Sequence, residues 1–387
     1  MGSAPLLQYA LLFVCWLAAL ATLLVFLETW FGISGRNRFM ARRASGAYGV
    51  ISIFVPMHGG PDSVEKIGRA IGSIFGQSYP FIELVLIYHE EDQRFAEMAK
   101  QFRSSRSHIP VRVVSTLFPI ETVNDRIRAL EHAQAAARGR WFVILDADVV
   151  LDRFAVETAV EFAGSNEISA LILRPGVRCR SFLQKIIAPS MEHILQMVRI
   201  ANRRRERRKG MEFESSFLLV NREAFDVISK INRMPGILND APWNLWGYQV
   251  DGLRTFSSDG SRWMWRDANV RSWSSAVDPE RRYGASASGF VVGSAVMAIL
   301  SVVGTIFGIV HGIDNFAGAS ILAFSGVSYL LMWTSYFLFA RRLRAASWFA
   351  PLWVLSFIPA AVLTLMEMRR IAVPSNLKKR SATLTRS

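Results

Sequence analysis

The run Trp141-Phe142-Val143-Ile144-Leu145-Asp146-Ala147-Asp148 constrains the fold more than any other stretch of the chain. Its first five residues are apolar, aromatic or β-branched throughout, and Gly139 opens them. That is the pattern of a strand buried on both faces, which belongs to a sheet covered by helices. Two carboxylates one residue apart then follow the strand's C-terminal end, where open α/β sheets bind ligands. Asp146 and Asp148 can share one hard divalent cation, Mg²⁺ or Mn²⁺, that prefers oxygen ligands and keeps positions open for a diphosphate. Alone, such a pair is common and often only caps the next helix, so the flanks must decide.

The upstream residues repeat a strand–turn–helix order. Val50-Ile51-Ser52-Ile53-Phe54-Val55-Pro56 reads as a strand ending at proline, followed by His58 and a Gly59-Gly60-Pro61-Asp62-Ser63 turn. Ser63 suits the cap of a helix that carries Ile67, Ile71, Ile74 and Phe75 on one face. Gln77-Ser78-Tyr79-Pro80 breaks the chain before a second strand, Ile82–Ile87, which runs into His89-Glu90-Glu91-Asp92. A third strand, Val111–Val114, precedes a helix from about Val123 to Ala137. This alternation predicts a mostly parallel sheet with right-handed crossovers. It sets two acidic strand ends at one edge: one for base and ribose, the other for metal and diphosphate.

The order strand-Pro, "SIFGQSYPFIELVLI", acidic turn and "GRWFVILDAD" resembles the GT-A domain of the inverting family-2 glycosyltransferases. Within that group the resemblance is closest to the ceramide glucosyltransferase branch and its bacterial relatives. It implies an α/β GT-A (nucleotide-diphospho-sugar transferase) domain with a nucleotide-sugar donor, most simply UDP-linked. Pro56, His58, Glu90, Asp92 and Asp146 are then the expected donor-binding residues, and Asp146 and Asp148 the metal ligands. The family sets its catalytic base in a Glu-Asp pair. Here the matching stretch is Ile237-Leu238-Asn239-Asp240-Ala241-Pro242-Trp243, so Asp240 is the expected base and Asn239 replaces the glutamate. The family's (Gln/Arg)-x-x-Arg-Trp element corresponds to Pro279-Glu280-Arg281-Arg282-Tyr283, which keeps a cation beside an aromatic, Arg282-Tyr283, without the leading Gln or Arg. That departure argues against a processive polymer synthase. The acceptor implied is a lipid hydroxyl, as in ceramide, diacylglycerol or a similar lipid. The alternatives are a transferase acting on polyprenyl phosphate or polysaccharide, and a non-catalytic membrane subunit that keeps a degenerate GT-A fold.

Composition supplies the setting. The chain is 51% hydrophobic with a formal net charge of +14 and a mean hydropathy of +0.24, too apolar for a purely soluble protein. Met1 to Leu27 has no charged residue and is long enough to span a bilayer, which takes ~20 apolar residues. Without a basic leader or a small-residue cleavage site it reads as an uncleaved anchor. Arg36, Arg38, Arg42 and Arg43 follow it, so the positive-inside rule sets the catalytic domain in the cytoplasm, at the inner membrane if the source is bacterial. Three more uncharged stretches, Gly284–Val310, Asn315–Ala340 and Ala345–Met366, predict about three C-terminal transmembrane helices; Pro351 and Pro359 allow the last to be re-entrant or kinked. The expected organisation is an anchor at 1–30, a donor-binding half at 45–180, an interfacial segment at 181–210, a catalytic-base half at 211–283, membrane helices at 284–370 and a basic tail at 371–387.

Phe182, Ile186, Ile187, Met191, Ile194, Leu195 and Val198 recur at helical spacing ahead of Arg203, Arg204, Arg205, Arg207 and Arg208. An apolar stripe beside a basic cluster suits a helix in the headgroup layer touching anionic phospholipid, and with Arg282 and Tyr283 it marks the acceptor side. The bland alternative is a core helix followed by a solvated loop. No nucleic-acid fold accompanies the basic run, so nucleic acid is not an expected partner. Cys15 and Cys179 form no disulfide framework or zinc site, as expected of a cytoplasmic domain.

Overall fold

The computed structural model describes residues 3–34, 48–59, 63–105, 108–120, 123–182, 184–185, 216–232, 253–267, 286–311 and 316–342. It divides into two units, one of long helices from the two ends of the chain and one of mixed α/β structure.

The α/β unit begins with the expected alternation. β1 (Ile51–Pro56), α2 (Ser63–Phe75), β2 (Ile82–His89), α3 (Gln93–Ser104), β3 (Val111–Thr116), α4 (Val123–Gln134) and β4 (Trp141–Leu145) follow in turn. The second and third strands run two residues longer than the sequence suggested, so His89 closes a strand. β1 pairs in parallel with β2 and with β4, and β2 in parallel with β3. Beyond the acidic turn come β5 (Val150–Leu151), α5 (Ala155–Ser165), β6 (Ala170–Arg174), β7 (Gly176–Arg178), β8 (Phe217–Asn221), α6 (Arg222–Asn232), β9 (Thr255–Asp259) and β10 (Met264–Asp267). Among the described residues the main sheet has the order β3-β2-β1-β4-β8-β6-β9, and β5, β10 and β7 form a small second sheet. β8 runs antiparallel to both β4 and β6, which makes the sheet mostly parallel.

Ile51, Ile53, Val55, Leu84, Leu86, Val143 and Leu145 pack one face of the main sheet against Ile67, Ile71 and Ile74 of α2. Phe54, Val85, Ile87, Phe142 and Ile144 pack the other against Ile127 and Leu130 of α4. Burial on both faces explains why the strands read as continuous apolar runs rather than alternating ones.

The helical unit contains α1 (Ser3–Ser34), α7 (Ser286–His311) and α8 (Phe316–Arg342). Their contacts combine buried apolar residues such as Ile321 and Met332 with small hydroxyl residues. Thr22, Ser301, Ser325, Ser328 and Ser335 are buried, whereas Phe13, Trp16, Leu24, Ile309, Val310 and Leu330 are exposed. Thr22 and Ser328 hydroxyls meet at 2.9 Å between α1 and α8, and Thr305 and Ser325 at 3.2 Å between α7 and α8. A Cβ on Gly304 would lie 2.9 Å from Ser325 Cβ and one on Gly308 2.5 Å from Leu322 Cβ, so these glycines allow α7 its close approach to α8. Small and hydroxyl residues inside with apolar residues outside is how helices associate in lipid. Phe316–Leu338 is long and apolar enough to cross a membrane; Tyr9–Leu24 and Ile299–Val310 are shorter apolar stretches among the described residues. The fourth uncharged stretch, Ala345–Met366, lies outside the described residues.

Candidate functional site

β1 is the switch point of the main sheet. From it the chain winds outward through β2 to β3, then α4 carries it back to β4 on the other side of β1. A crevice opens outside the C-terminal ends of β1 and β4, where the crossovers diverge. His58 follows β1 into it, and Asp146 and Asp148 follow β4.

The turn is held from several sides. Asp146 N–H donates to Ser216 O at 3.0 Å, and Val149 N–H to Asp146 O at 3.1 Å, which closes a tight bend. Gln77, buried behind it, donates to Ser73 O (3.0 Å) and Asp152 O (2.8 Å) and accepts from Val156 N–H (3.1 Å). The Gln77-Ser78-Tyr79-Pro80 break thereby becomes a clasp on the chain leaving the acidic turn. Ahead of β1's partner helix, Gly59 has φ +115°, and a Cβ there would strike Ser63 Oγ; only glycine fits that position comfortably.

Cations surround the carboxylates. Arg126 Nη1, near the start of α4, lies 3.5 Å from Asp146 Oδ1. Burial pushes the Asp148 carboxyl above its ordinary value; Asp146 adds to this, while Arg266 and Lys66 oppose it. Burial, reinforced by Arg126, lowers His58 to about 4 against the pull of Asp148, so its imidazole is neutral at pH 7. Arg266 Nη1 in turn donates to Ser216 Oγ at 3.4 Å.

Glu90 and Asp92 follow β2 at the same sheet edge. β1 separates β2 from β4, so the two acidic ends share an edge without being neighbours. Asp92 accepts from Arg94 Nη2 (2.7 Å) and Nε (3.1 Å), and these bonds hold its carboxyl below the usual range. Glu90 is exposed, with its N–H bonded to Thr116 O at 3.0 Å. Asp240, Arg203, Arg204, Arg205, Arg282 and Tyr283 lie outside the described residues, as does most of the 181–210 segment. Burial pushes the Cys179 thiol up to about 11, which makes it a poor nucleophile.

Lys66, Arg126, Ser216 and Arg266 were not singled out in the sequence. A signal for two of them existed. Lys66 and Arg126 are each the fourth residue of a helix that starts from the sheet's C-terminal edge. A cation there opposes the helix dipole, so something other than helix stability places it. Arg266, far downstream, left no such mark.

The winding about β1 and the acidic turn beside it define a GT-A-type nucleotide-diphosphate-sugar domain. Residues 52–228 match the family model described as Glycosyl transferase family 2, so this part of the chain is a glycosyltransferase domain. Among solved structures it is similar to the mannosyltransferase PcManGT from Pyrobaculum calidifontis, determined in complex with GDP-Man and Mn²⁺. That pair is 15% identical, covering 93% of this chain and 99% of that one, with a TM-score of 0.44. It is also similar to residues 1–349 of S. aureus TarS in complex with UDP-GlcNAc, at 12% identity over 83% of this chain and 92% of that one, TM-score 0.38. No curated protein matches the chain.

Proposed function

We propose that this glycosyltransferase is membrane-bound and moves a sugar from a nucleotide sugar, UDP-linked, to a lipid hydroxyl with inversion. The observation that supports it most is the Asp146–Asp148 turn at the β1/β4 crevice, with neutral His58 and several cations beside it. Among the described residues no group of three His, Cys, Asp or Glu side chains could hold a metal ion by itself. Two carboxylates nevertheless fit Mg²⁺ or Mn²⁺, because such ions are commonly held by one or two carboxylates and completed by substrate phosphate and water. Asp146 and Asp148 would hold it. When bound, it offsets the charge that grows on the leaving diphosphate.

The chain's own groups have separable tasks. His58, uncharged at neutral pH, offers the donor a hydrogen bond without adding charge. Pro56 ends β1 at the crevice edge, and exposed Glu90 stands past the end of β2, where Asp92 is held by a bidentate arginine. Asp240 takes the proton from the acceptor hydroxyl as it attacks the anomeric carbon, and one displacement gives inversion.

The lipid acceptor and the multi-pass topology find support in α1, α7 and α8, which expose large apolar side chains and include hydroxyl contacts between helices. The cytoplasmic placement of the catalytic domain rests on Arg36, Arg38, Arg42 and Arg43, and docking on anionic phospholipid on Arg203, Arg204 and Arg205. Likeness to the ceramide glucosyltransferase branch rests on the quoted motifs alone.

The test is turnover by the full chain in lipid. Supplied with Mn²⁺, UDP-sugars and a membrane lipid extract, it is expected to release UDP and form a glycolipid. If no nucleotide sugar is consumed with any lipid extract by folded protein, the catalytic reading fails and the degenerate assembly subunit replaces it.

A further inference from the structure

After β7 the chain joins the helical unit, which takes in Arg178–Asn202 along with the two ends of the sequence. The described part of this stretch starts a helix. Gln184 N–H donates to Ser181 Oγ at 3.2 Å, while Gln184 Oε1 accepts from Ser181 N–H at 3.1 Å and from Arg180 N–H at 2.8 Å. This reciprocal Ser-x-x-Gln cap satisfies backbone donors on both sides of a helix start. Lys185 N–H then donates to Ser181 O at 3.1 Å, the first i to i−4 step.

The helix start is pinned to α8. Tyr336 Oη donates to Lys185 O at 3.3 Å, and both Tyr336 and Cys179 are buried. The position on α8 sets the depth of this contact. Phe316–Leu338 is long and apolar enough to cross a membrane, and Tyr336 stands two residues before its end. At ~1.5 Å of rise per residue, the pin lies about 3 Å inside that end. Tyrosine favours such a boundary between acyl chains and water, and Arg341, Arg342 and Arg344 beyond it mark the cytoplasmic side.

The side chains held out beside the pin are of two kinds. Phe182 is 58% exposed, and Arg178 and Arg180 are exposed just before it. An aromatic ring left in water forfeits the free energy of burial, which acyl chains at this depth would supply. The guanidinium groups match the oxygens of lipid phosphates. α8 itself exposes Val327 and Leu330 along the span, so apolar surface continues from the helix to its boundary.

We propose that residues 178–185 form a membrane anchor pinned by Tyr336, with Phe182 among the acyl chains and Arg178 and Arg180 on the phosphates of an anionic cytoplasmic leaflet. This deepens the membrane-bound reading above and rests on it. To docking by Arg203, Arg204 and Arg205 it adds a contact whose depth is set by a hydrogen bond to a membrane helix. The chain leaving β7 thereby meets the leaflet from which a lipid acceptor is taken.

The experiment places a nitroxide label at Phe182→Cys or Val327→Cys in the full chain, reconstituted in phosphatidylcholine vesicles containing phosphatidylglycerol. Both native thiols are buried, and labelled wild type supplies the background. Val327, exposed at the middle of the span, reports lipid. Relaxation of each label by oxygen, which concentrates in acyl chains, is compared with relaxation by a water-soluble nickel chelate. Expected is a Phe182 label relaxed more by oxygen than by nickel, at a shallower depth than the Val327 label. Tyr336→Phe should shift it toward water. Arg178→Gln combined with Arg180→Gln should do the same, each charge being worth about five-fold in attraction to an anionic surface. Thermal midpoints establish that each variant is folded. A Phe182 label in water beside a Val327 label in lipid would overturn the anchor while leaving the membrane-bound reading intact. Both labels in water would overturn that reading and the anchor with it. A Phe182 label in lipid whose depth ignores Tyr336→Phe would overturn the pinning.

Discussion

The two edges of the main sheet each gather carboxylate and cation, and they do so to opposite ends. At the N-terminal edge Glu83, almost fully buried on β2, accepts from Ser52 Oγ (2.6 Å), Arg112 Nε (3.0 Å), Gly139 N–H (3.2 Å) and Arg138 N–H. Burial alone would raise its carboxyl, but the bonds from Ser52, Arg138 and Arg112 outweigh burial and hold it below the usual range. At the C-terminal edge Asp148 is pushed above its ordinary value, by burial first, although Arg266 and Lys66 oppose the shift. The difference lies in satisfaction. Glu83 has four donors aimed at it and ties β1, β2, β3 and the entry to β4 together. Asp148 is buried beside Asp146, and the charges of Arg266 and Lys66 do not outweigh that burial; such a perturbed carboxyl in a crevice is a candidate functional group.

The contrast breaks most sharply at Asp148. Asp148→Asn is expected to cut sugar transfer by about 10³-fold, the scale of a lost electrostatic contact to a developing charge, while the thermal midpoint stays level or rises, because a crowded carboxylate has gone. A loss of activity accompanied by a fall in midpoint would make Asp148 structural, like Glu83. Glu83→Ala is the converse. It leaves two backbone N–H groups and half-buried Arg112 without their acceptor and should cost about 1–3 kcal/mol, read as a lower denaturation midpoint. The molecules that remain folded should bind nucleoside diphosphate as wild type does.

Acid separates the edges in a second way. His58, at the site edge, is held at about 4 against an ordinary 6.5. Between those values the unfolded chain binds the proton and the folded one does not, so stability falls as pH drops across the window, by about 3 kcal/mol in all. The contribution of Glu83 persists above 4.5 and is lost only as pH falls through its lowered folded value. Asp148 runs the other way, since its raised carboxyl takes up a proton earlier in the folded state and adds stability as pH falls. Thermal midpoints from pH 7 to 4 for wild type and His58→Gln measure this. The variant should show the flatter curve above pH 4.5, and equal slopes would remove His58 from the account.

The smallest expected effect probes the packing behind Glu83. A Cβ on Gly139 would fall 2.4 Å from Ser52 Oγ, 2.6 Å from Ser52 N and 2.8 Å from Trp141 O. Two of those neighbours are backbone, so Gly139→Ala should cost about 1–3 kcal/mol and leave transfer by the folded protein unchanged. A neutral substitution would mean that the N-terminal edge yields more easily than its bonds suggest.

Much of this was legible in the residues. Unbroken apolar runs specified strands buried on both faces, because helix crossovers cover a parallel sheet on each side. The strand–turn–helix alternation specified the direction of β1, β2, β3 and β4, and Asp146 and Asp148 follow Leu145 at the C-terminal end of β4 as read from the residues. Such features are local in origin: periodicity, turn residues and the side chains that follow a strand end. What only the tertiary structure decided is who stands beside whom. Strand order set β1 between β2 and β4 and so parted Asp92 from Asp146. Antiparallel pairing of β10 with β5 brought Arg266 to a turn more than a hundred residues upstream of it. The charge of a carboxylate and the neutrality of His58 depend on distances across the fold and on the water it excludes. No spacing along the chain encodes those quantities.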